Sequence, residues 1–397
     1  MAEPVKVLIV DDSALVRRLL TDALSKDREI QVVGSAPDPF IARNKILELN
    51  PDVITLDIEM PKMDGLTFLK VLMQYRPMPV IVISSLTQTG SQKALEALQL
   101  GAVDVFPKPS GSYSVCDDLN SLIEKIKAAA KTKIKIKRDS AGIGVKQSVQ
   151  AGETAGRNIL DSGTNNPAAN PGVSSVRVPS TGLVNQPQRF PDRGRRYSIK
   201  KVILIGASTG GTEAITQVLT ALPKDLPGIC IVQHIPAYFS AAFANRLNSM
   251  CALEVREAKS GDKVKPGLAL VAPGGFHMLL KWQPDGYVVE LNQGPPVHHQ
   301  RPAVDVLFES AVKVGAAKDA LAVIMTGMGS DGAAGMLKLH QNGAFTVAQD
   351  EASCVVFGMP KEAIKLGGVS KILNLSQIAS FIDSYATSIA LKLNNMV

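Results

Sequence analysis

The run LIGASTGGTEAI, residues 204–215, carries one serine, Ser208, with Gly206 two positions before it and Gly210 two after. A G-x-S-x-G turn between an apolar strand and a helix holds a hydroxyl out at a sheet edge. The helix N-terminus then aims N–H groups at any negative charge that develops there. A serine hydroxyl attacks a carbonyl only when a neighbouring base takes its proton, and the chain has five histidines. His234 ends the run GICIVQ, which places it on the same sheet edge one strand along and makes it the favoured base. His277 in PGGFHM could reach the site from a loop, and His298 and His299 in GPPVHHQRPAVDVLF could line a cleft. His340 falls inside the helical run GMLKLHQN and reads as a surface or structural residue. The imidazole needs an acid to fix it. Asp331, in the Gly-rich loop MTGMGSDGAAG after the run ALAVIM, is the first choice; Asp350 in TVAQDEAS is second, and Asp305 and Asp262 are weaker. Taken alone, Asp331 could equally cap a helix starting at Ala333.

A second group of chemistry-bearing residues lies near the N-terminus. Asp11 and Asp12 follow the first apolar run and Asp57 closes the third. The carboxyl ends of parallel strands share one edge, so these acids should converge. Three adjacent carboxylates repel one another unless a hard divalent cation neutralises them, and Mg²⁺ suits oxygen ligands of this kind. Ser84 after the fourth run and Lys108 after the fifth should reach the same edge, where a hydroxyl and an ammonium could hold a phosphoryl group.

Both groups demand parallel sheets to position them. The first 130 residues alternate short runs rich in β-branched residues (KVLIV, QVVGSA, DVITLD, PVIVISS, VDVF) with amphipathic stretches such as SALVRRLLTDALSK, with Ser13 placed as an N-cap. That pattern predicts an α/β domain with a five-stranded parallel sheet covered on both faces. The alternation resumes near Ile199, with KVILIG, a helix from Thr212, GICIVQ, a helix from about Ser240, and later DALAVIMT with a helix after Asp331. Residues 253–300 are richer in Gly and Pro and read as strands and loops. The second unit is therefore a doubly wound, mainly parallel α/β domain. A dinucleotide-binding turn is a poor reading of GASTGG, because Ser208 takes the place of the second glycine of G-x-G-x-x-G. The order Ser, His, Asp also differs from that of the α/β-hydrolases, so their fold is not expected.

Composition bounds the rest. A chain of 397 residues, 45% hydrophobic and 20% charged, is expected to form two or three soluble domains. Its opening goes directly into a short strand rather than a secretory signal, and no apolar stretch is long enough to insert into a membrane. The four cysteines are scattered without a C-x-x-C pair, which fits a reducing, cytoplasmic setting and neither a disulfide framework nor a zinc site. Residues 131–200 carry 13 Lys/Arg against 4 Asp/Glu, a surplus larger than the net +7 of the whole chain. The basic character thus belongs to one segment, rich in Gly, Ser, Asn and Pro and expected to be a flexible linker over residues 131–198. The parts outside it are slightly acidic, and residues 200–397 show no helix-turn-helix with a basic recognition helix. A nucleic-acid-binding output is therefore not expected. The run KTKIKIKR, residues 131–138, is read as a solvated helix end.

Two resemblances sharpen these expectations. The residues VDD (10–12), LDIEMPKMDG (56–65), ISS (83–85) and PKP (107–109) resemble the receiver domain of two-component response regulators, over residues 4 to about 128. That resemblance implies a flavodoxin-like fold and transfer of phosphate from a histidine kinase to Asp57. It also implies Mg²⁺ on Asp11, Asp12 and Asp57, phosphate sensing by Ser84 and Lys108, and a cis bond before Pro109. One departure is Val105, where many receivers carry an aromatic residue; Phe106 stands next to it. The segments IGASTGGTEAI (205–215), QHIP (233–236), APGGFHM (272–278), RPAVDVLF (301–308) and TGMGSDGA (326–333) resemble the catalytic domain of the CheB family of chemotaxis protein-glutamate methylesterases. This implies a serine carboxylesterase with Ser208, His234 and Asp331 as its catalytic residues and the Met328 amide in the oxyanion hole, with a further amide near His234 expected to assist. The esterase chemistry needs no cofactor. The implied substrates are methylated chemoreceptor cytoplasmic domains, whose glutamines would also be deamidated for sensory adaptation. The domain order expected is a receiver over 1–130, the linker, and a methylesterase domain over 199–397. A receiver with an esterase or amidase output for a small metabolite is the alternative.

Overall fold

The computed structural model describes residues 3–61, 63–85, 87–108, 115–132 and 197–394. The first sheet is built from β1 (Val5–Val10), β2 (Ile30–Ala36), β3 (Val53–Asp57), β4 (Val80–Ser84) and β5 (Asp104–Pro107). Its strand order is β2-β1-β3-β4-β5 with every pairing parallel. The intervening helices are α1 (Ala14–Leu24), α2 (Pro39–Leu49), α3 (Gly65–Tyr75), α4 (Gln88–Gln99) and α5 (Val115–Ala130). Ser13 caps α1 as its position predicts, accepting from the Val16 amide at 3.4 Å. All five residues of β3 and of β4 are buried, as expected of strands sandwiched between helices.

The second domain begins with β6 (Val202–Ala207), α6 (Gly211–Thr220), β7 (Gly228–Gln233) and α7 (Phe239–Met250). It continues with β8 (Glu254–Glu257), β9 (Leu268–Val271) and the hairpin strands β10 (His277–Gln283) and β11 (Gly286–Asn292). Then come α8 (Val304–Lys313), β12 (Ala320–Ile324), α9 (Ala333–Gln341), β13 (Phe345–Gln349), α10 (Met359–Lys365), β14 (Lys371–Leu373) and α11 (Leu375–Asn394). Seven strands form one parallel sheet in the order β14-β13-β12-β6-β7-β9-β8, and β10 pairs antiparallel with β11. The doubly wound reading is correct. The helices expected at Thr212 and near Ser240 start one residue earlier, at Gly211 and Phe239. The Gly- and Pro-rich middle is more ordered than its composition suggests: β8 and β9 extend the main sheet beyond β7.

Every residue of β6, β7 and β12 is buried, so the middle of the sheet has no solvated face. This rigid centre is what carries the site. Both sheets belong to one compact unit. Leu95 of α4 and Phe243 of α7 fall in one hydrophobic cluster, and Val355 packs against the apolar cluster that contains Ile123 and Ile126 of α5. The segment expected as a linker lies outside the described residues from 133 to 196, as does Pro109. No described helix is long and apolar enough to cross a membrane.

Candidate active site and phosphoacceptor site

Ser208, His234 and Asp331 follow β6, β7 and β12, which are adjacent in the order β12-β6-β7. The chain moves to one side of β6 to make β7 and later returns to the other side to make β12. That reversal opens a crevice at the carboxyl ends of the strands. All three residues line a cleft of about 530 Å³ there, together with Met328 and the paired histidines His298 and His299. The two glycines beside Ser208 have different causes. A Cβ on Gly206 would lie 2.3 Å from Val304 Cγ1, so the strand end must pass close under α8. Gly210 sits at φ +77°, the left-handed conformation that opens α6.

The His234 Nε2 lies 2.7 Å from Asp331 Oδ2 in a buried environment. Asp331 also accepts from the backbone amides of Val304 (2.6 Å) and Asp305 (2.9 Å), the first two residues of α8. The residue before that helix, Ala303, has no side chain able to cap it. Burial alone would raise the Asp331 carboxyl, but the bond to His234 and the amides of Asp305 and Val304 hold it below the ordinary carboxylate value. An ionised carboxylate can only accept, so Nε2 carries the proton and Nδ1 is the nitrogen left to act as base. Asp331 therefore caps α8 across the sheet edge, and not the helix from Ala333 that follows it in sequence.

Ser208 is 7% exposed. Its amide donates to the Thr326 carbonyl (3.0 Å), and among the described residues its hydroxyl makes no hydrogen bond, the His234 imidazole included. Free nucleophile–base pairs are often loose and tighten on substrate. Among the described residues the Met328 amide donates to no other group, which leaves it available at the cleft wall. The His234 amide is not available: it donates to the Ala207 carbonyl at 3.1 Å, continuing the β6–β7 ladder. The expectation of an oxyanion donor at His234 is corrected accordingly. The Thr209 amide is the better second candidate. It immediately follows Ser208 and has no partner among the described residues.

The other candidates have structural duties. His277 is buried, accepts from the Ala303 amide through Nδ1 (3.2 Å) and bonds the Pro295 carbonyl through Nε2 (3.0 Å). His340 faces the hydroxyls of Ser370 and Thr346. Asp350 closes a turn by accepting from the Ser353 amide at 3.0 Å. Asp262 pairs with Arg256. His298 contacts Asp305 at 3.1 Å, and Asp305 in turn accepts from the Gly335 amide at 2.6 Å.

One wall of the cleft comes from the first domain, through Asn120, Ser121, Glu124 and Lys125 of α5. Asp104 of β5 binds both Lys125 (2.5 Å) and the hydroxyl of Thr209 (2.7 Å), the residue next to Ser208. Nothing in the local sequence of Asp104 signals this cross-domain bond.

At the edge of the first sheet, Asp11, Asp12 and Asp57 bring carboxylate oxygens within 4.8 Å of one another. Lys108 Nζ sits 2.7 Å from Asp57 Oδ2 and 3.6 Å from Asp11 Oδ2. Burial raises the Asp57 carboxyl to about 6 despite the Lys108 bond, and burial also raises Asp11. Asp11 Oδ2 is a buried oxygen without a hydrogen-bond partner among the described residues. A cluster of hard oxygens, one of them orphaned, with carboxyls made reluctant to ionise, fits a small divalent cation such as Mg²⁺. Ser84 is buried on the same edge, but its hydroxyl donates to the Gly90 carbonyl (3.1 Å) and not into the acidic cluster.

Comparison with known proteins agrees with both halves. A family model described as CheB methylesterase matches residues 203–382, and one described as response regulator receiver domain matches residues 7–120. The protein-glutamate methylesterase/protein-glutamine glutaminase 2 of Syntrophus aciditrophicus is 50% identical over 95% of this chain and 98% of its own length. Its Geobacter metallireducens counterpart, numbered 1, is 48% identical over 95% of this chain and 94% of its own. The solved CheB methylesterase catalytic domain of Thermotoga maritima is 39% identical, covering 46% of this chain and 96% of that domain with a TM-score of 0.45. With a receiver domain in front and a methylesterase domain behind, and relatives similar over nearly their whole length, the chain belongs to the CheB methylesterase family.

Proposed function

We propose that the chain is a phosphorylation-regulated hydrolase that removes methyl esters from glutamate side chains of chemoreceptors and deamidates receptor glutamines. The observation that carries the esterase half is the meeting of Ser208, His234 and Asp331 at three adjacent strand ends, with the imidazole held by a buried carboxylate at 2.7 Å.

In this reading Ser208 attacks the γ-carbonyl of the glutamyl ester while His234 Nδ1 takes its proton. Asp331 holds the ring through Nε2 and stabilises the imidazolium. The amides of Met328 and Thr209 bind the developing oxyanion, an effect of roughly 3–4 kcal/mol per donor in serine hydrolases. His234 returns the proton to the departing methanol, and water then hydrolyses the acyl-enzyme by the same route. With glutamine, ammonia leaves in place of methanol.

The receiver supplies control. Asp57 attacks the phosphorus of a kinase phosphohistidine, the N–P bond breaks to release the kinase imidazole, and an acyl phosphate forms beside the Lys108 ammonium. Mg²⁺ held by Asp11, Asp12 and Asp57 would offset the charge of the incoming phosphoryl group. Helix α5 walls one side of the catalytic cleft, and a protein substrate needs that side open. Phosphate on Asp57 shifts the equilibrium toward a state in which α5 has moved. The enzyme would act in the cytoplasm, where receptor signalling domains and kinase meet.

Methanol release from methylated receptor membranes, with and without acetyl phosphate and Mg²⁺, tests the reading. Ser208→Ala is expected to abolish release in a folded protein, and Asp57→Asn to retain basal release without stimulation. Release from small esters at rates matching receptor membranes would favour a metabolite esterase instead.

A further inference from the structure

Gln233 is the last residue of β7 and is 2% exposed. Its side-chain Nε2 donates to the main-chain carbonyl of Ser208 at 2.8 Å and to that of His234 at 3.2 Å. A carboxamide nitrogen has two hydrogens, so one group ties both residues at the backbone. The opposite amide orientation would set an oxygen against two carbonyl oxygens, so the contacts themselves assign the nitrogen.

Two details argue that this amide does more than satisfy carbonyls left over at the strand end. The Ser208 carbonyl already accepts from the Gly211 amide at 2.7 Å and does not need a second donor. The other half of the amide, Oε1, is buried and makes no hydrogen bond among the described residues, which is an unfavourable arrangement for a group present only for stability. That oxygen presses on α6: a Cβ on Gly211 would lie 2.1 Å from it, so the second glycine of the GG pair leaves room for it.

We propose that Gln233 is a positioning residue that keys the nucleophile turn to the base. The β6–β7 ladder ends at Ala207 and His234, one residue short of Ser208. Beyond that point, among the described residues, the Gln233 amide is the group that bonds the backbones of both residues. A fixed spacing between hydroxyl and imidazole matters because small misplacements at a reacting centre cost large factors in rate. Gln233 touches neither substrate nor the reacting atoms. The proposal rests on the reading of Ser208 as nucleophile and His234 as base.

The test compares full-length wild type with Gln233→Met, which keeps length and apolar volume but has no donor, and Gln233→Glu, which keeps the shape and loses the amide hydrogens. Expected for Gln233→Met is a 10- to 100-fold fall in kcat for methanol release, with KM within twofold and a similarly slowed sulfonylation of Ser208 by phenylmethylsulfonyl fluoride. Gln233→Glu should lose at least tenfold at pH 8, where a carboxylate faces two carbonyls, and recover part of that deficit relative to wild type as pH falls and the acid regains one hydrogen. A folded Gln233→Met with kcat and sulfonylation within twofold of wild type overturns the proposal. If that variant does not fold, full activity of Gln233→Glu at pH 8 overturns it alone. Ser208→Ala serves as the control: activity there would remove the nucleophile reading itself, whereas an inactive Ser208→Ala beside a normal Gln233→Met removes only the role of Gln233.

Discussion

Asp331 and Asp305 cap each other's helices. The Asp331 carboxylate accepts from the Asp305 amide at 2.9 Å in the first turn of α8, and the Asp305 carboxylate accepts from the Gly335 amide at 2.6 Å in the first turn of α9. Neither helix has a side-chain cap of its own, since Ala303 precedes α8 and Gly332 precedes α9. The acid that orients His234 is thus also a piece of the scaffold. Asp331→Asn should lower kcat by about 10³–10⁴, because an amide can present its NH₂ to the ring and impose the wrong tautomer. It should also destabilise the fold by about 1–3 kcal/mol through loss of charge-assisted bonds. Asp305→Ala should cost about 1–2 kcal/mol as a lost cap while lowering kcat by much less than Asp331→Asn. Denaturant melts and steady-state kinetics on both variants separate the two duties.

The same carboxylate makes stability depend on acid in a defined direction. The folded value of Asp331 lies below its ordinary value of 3.8. Its contribution is therefore fully present above about pH 4 and is lost as pH falls through the lower folded value, since the unfolded chain then binds the proton first. Asp305, raised by burial, has the opposite sign and favours the folded state as pH falls. Urea titrations at pH 7, 5 and 3 should show the deficit of Asp331→Asn relative to wild type constant between 7 and 5 and smaller at 3. A deficit that grows toward pH 3 would mean that the carboxylate is not held low by its partners.

Control of the esterase should be sensitive to a single bond between the domains. Asp104 holds Thr209 at 2.7 Å and Lys125 at 2.5 Å, so one carboxylate fastens β5 and α5 to the residue beside Ser208. Asp104→Ala removes both contacts and leaves Ser208, His234 and Asp331 untouched. Basal methanol release without phosphodonor is expected to rise several-fold, and the further stimulation by acetyl phosphate to shrink by a similar factor. An unchanged basal rate would show that this contact does not hold the closed state.

These outcomes also mark which features local sequence pattern could supply. The fully buried strands β6, β7 and β12 are short, continuous apolar runs; Ser208 follows β6 directly, His234 follows β7 directly, and Asp331 lies in the Gly-rich loop after β12, so the sequence pattern alone aligns the three on one edge. The same logic brought Asp11, Asp12, Asp57 and Lys108 together. What escaped depends on tertiary return. Asp305 looks like an ordinary helix residue until α8 is packed against α9, and Gln233 looks like any polar residue closing a strand. The ladder bond that occupies the His234 amide is set by strand register, which apolar runs do not specify. Asp104 and Val355 act across a domain boundary, where no short-range periodicity records the partner.

The acidic cluster of the receiver yields the last expectation. Asp11 and Asp57 are buried and Asp12 is exposed, and their oxygens within 4.8 Å repel one another, with Lys108 paired to the carboxylates of Asp11 and Asp57 in partial compensation. A divalent cation bound by these oxygens lowers the free energy of the folded receiver alone, so its melting temperature should rise with Mg²⁺ concentration by mass action, roughly 2.7 kcal/mol at a hundredfold excess over Kd. Asp11→Asn removes one of the three charges and replaces one carboxylate oxygen of Asp11, whose Oδ2 makes no hydrogen bond among the described residues, by an NH₂. It should be more stable than wild type in chelator and gain little on addition of Mg²⁺. Thermal melts of both proteins in EDTA and in millimolar MgCl₂ give the comparison, with Na₂SO₄ at equal ionic strength to remove general screening. Equal Mg²⁺ shifts in the two proteins would place the cation elsewhere.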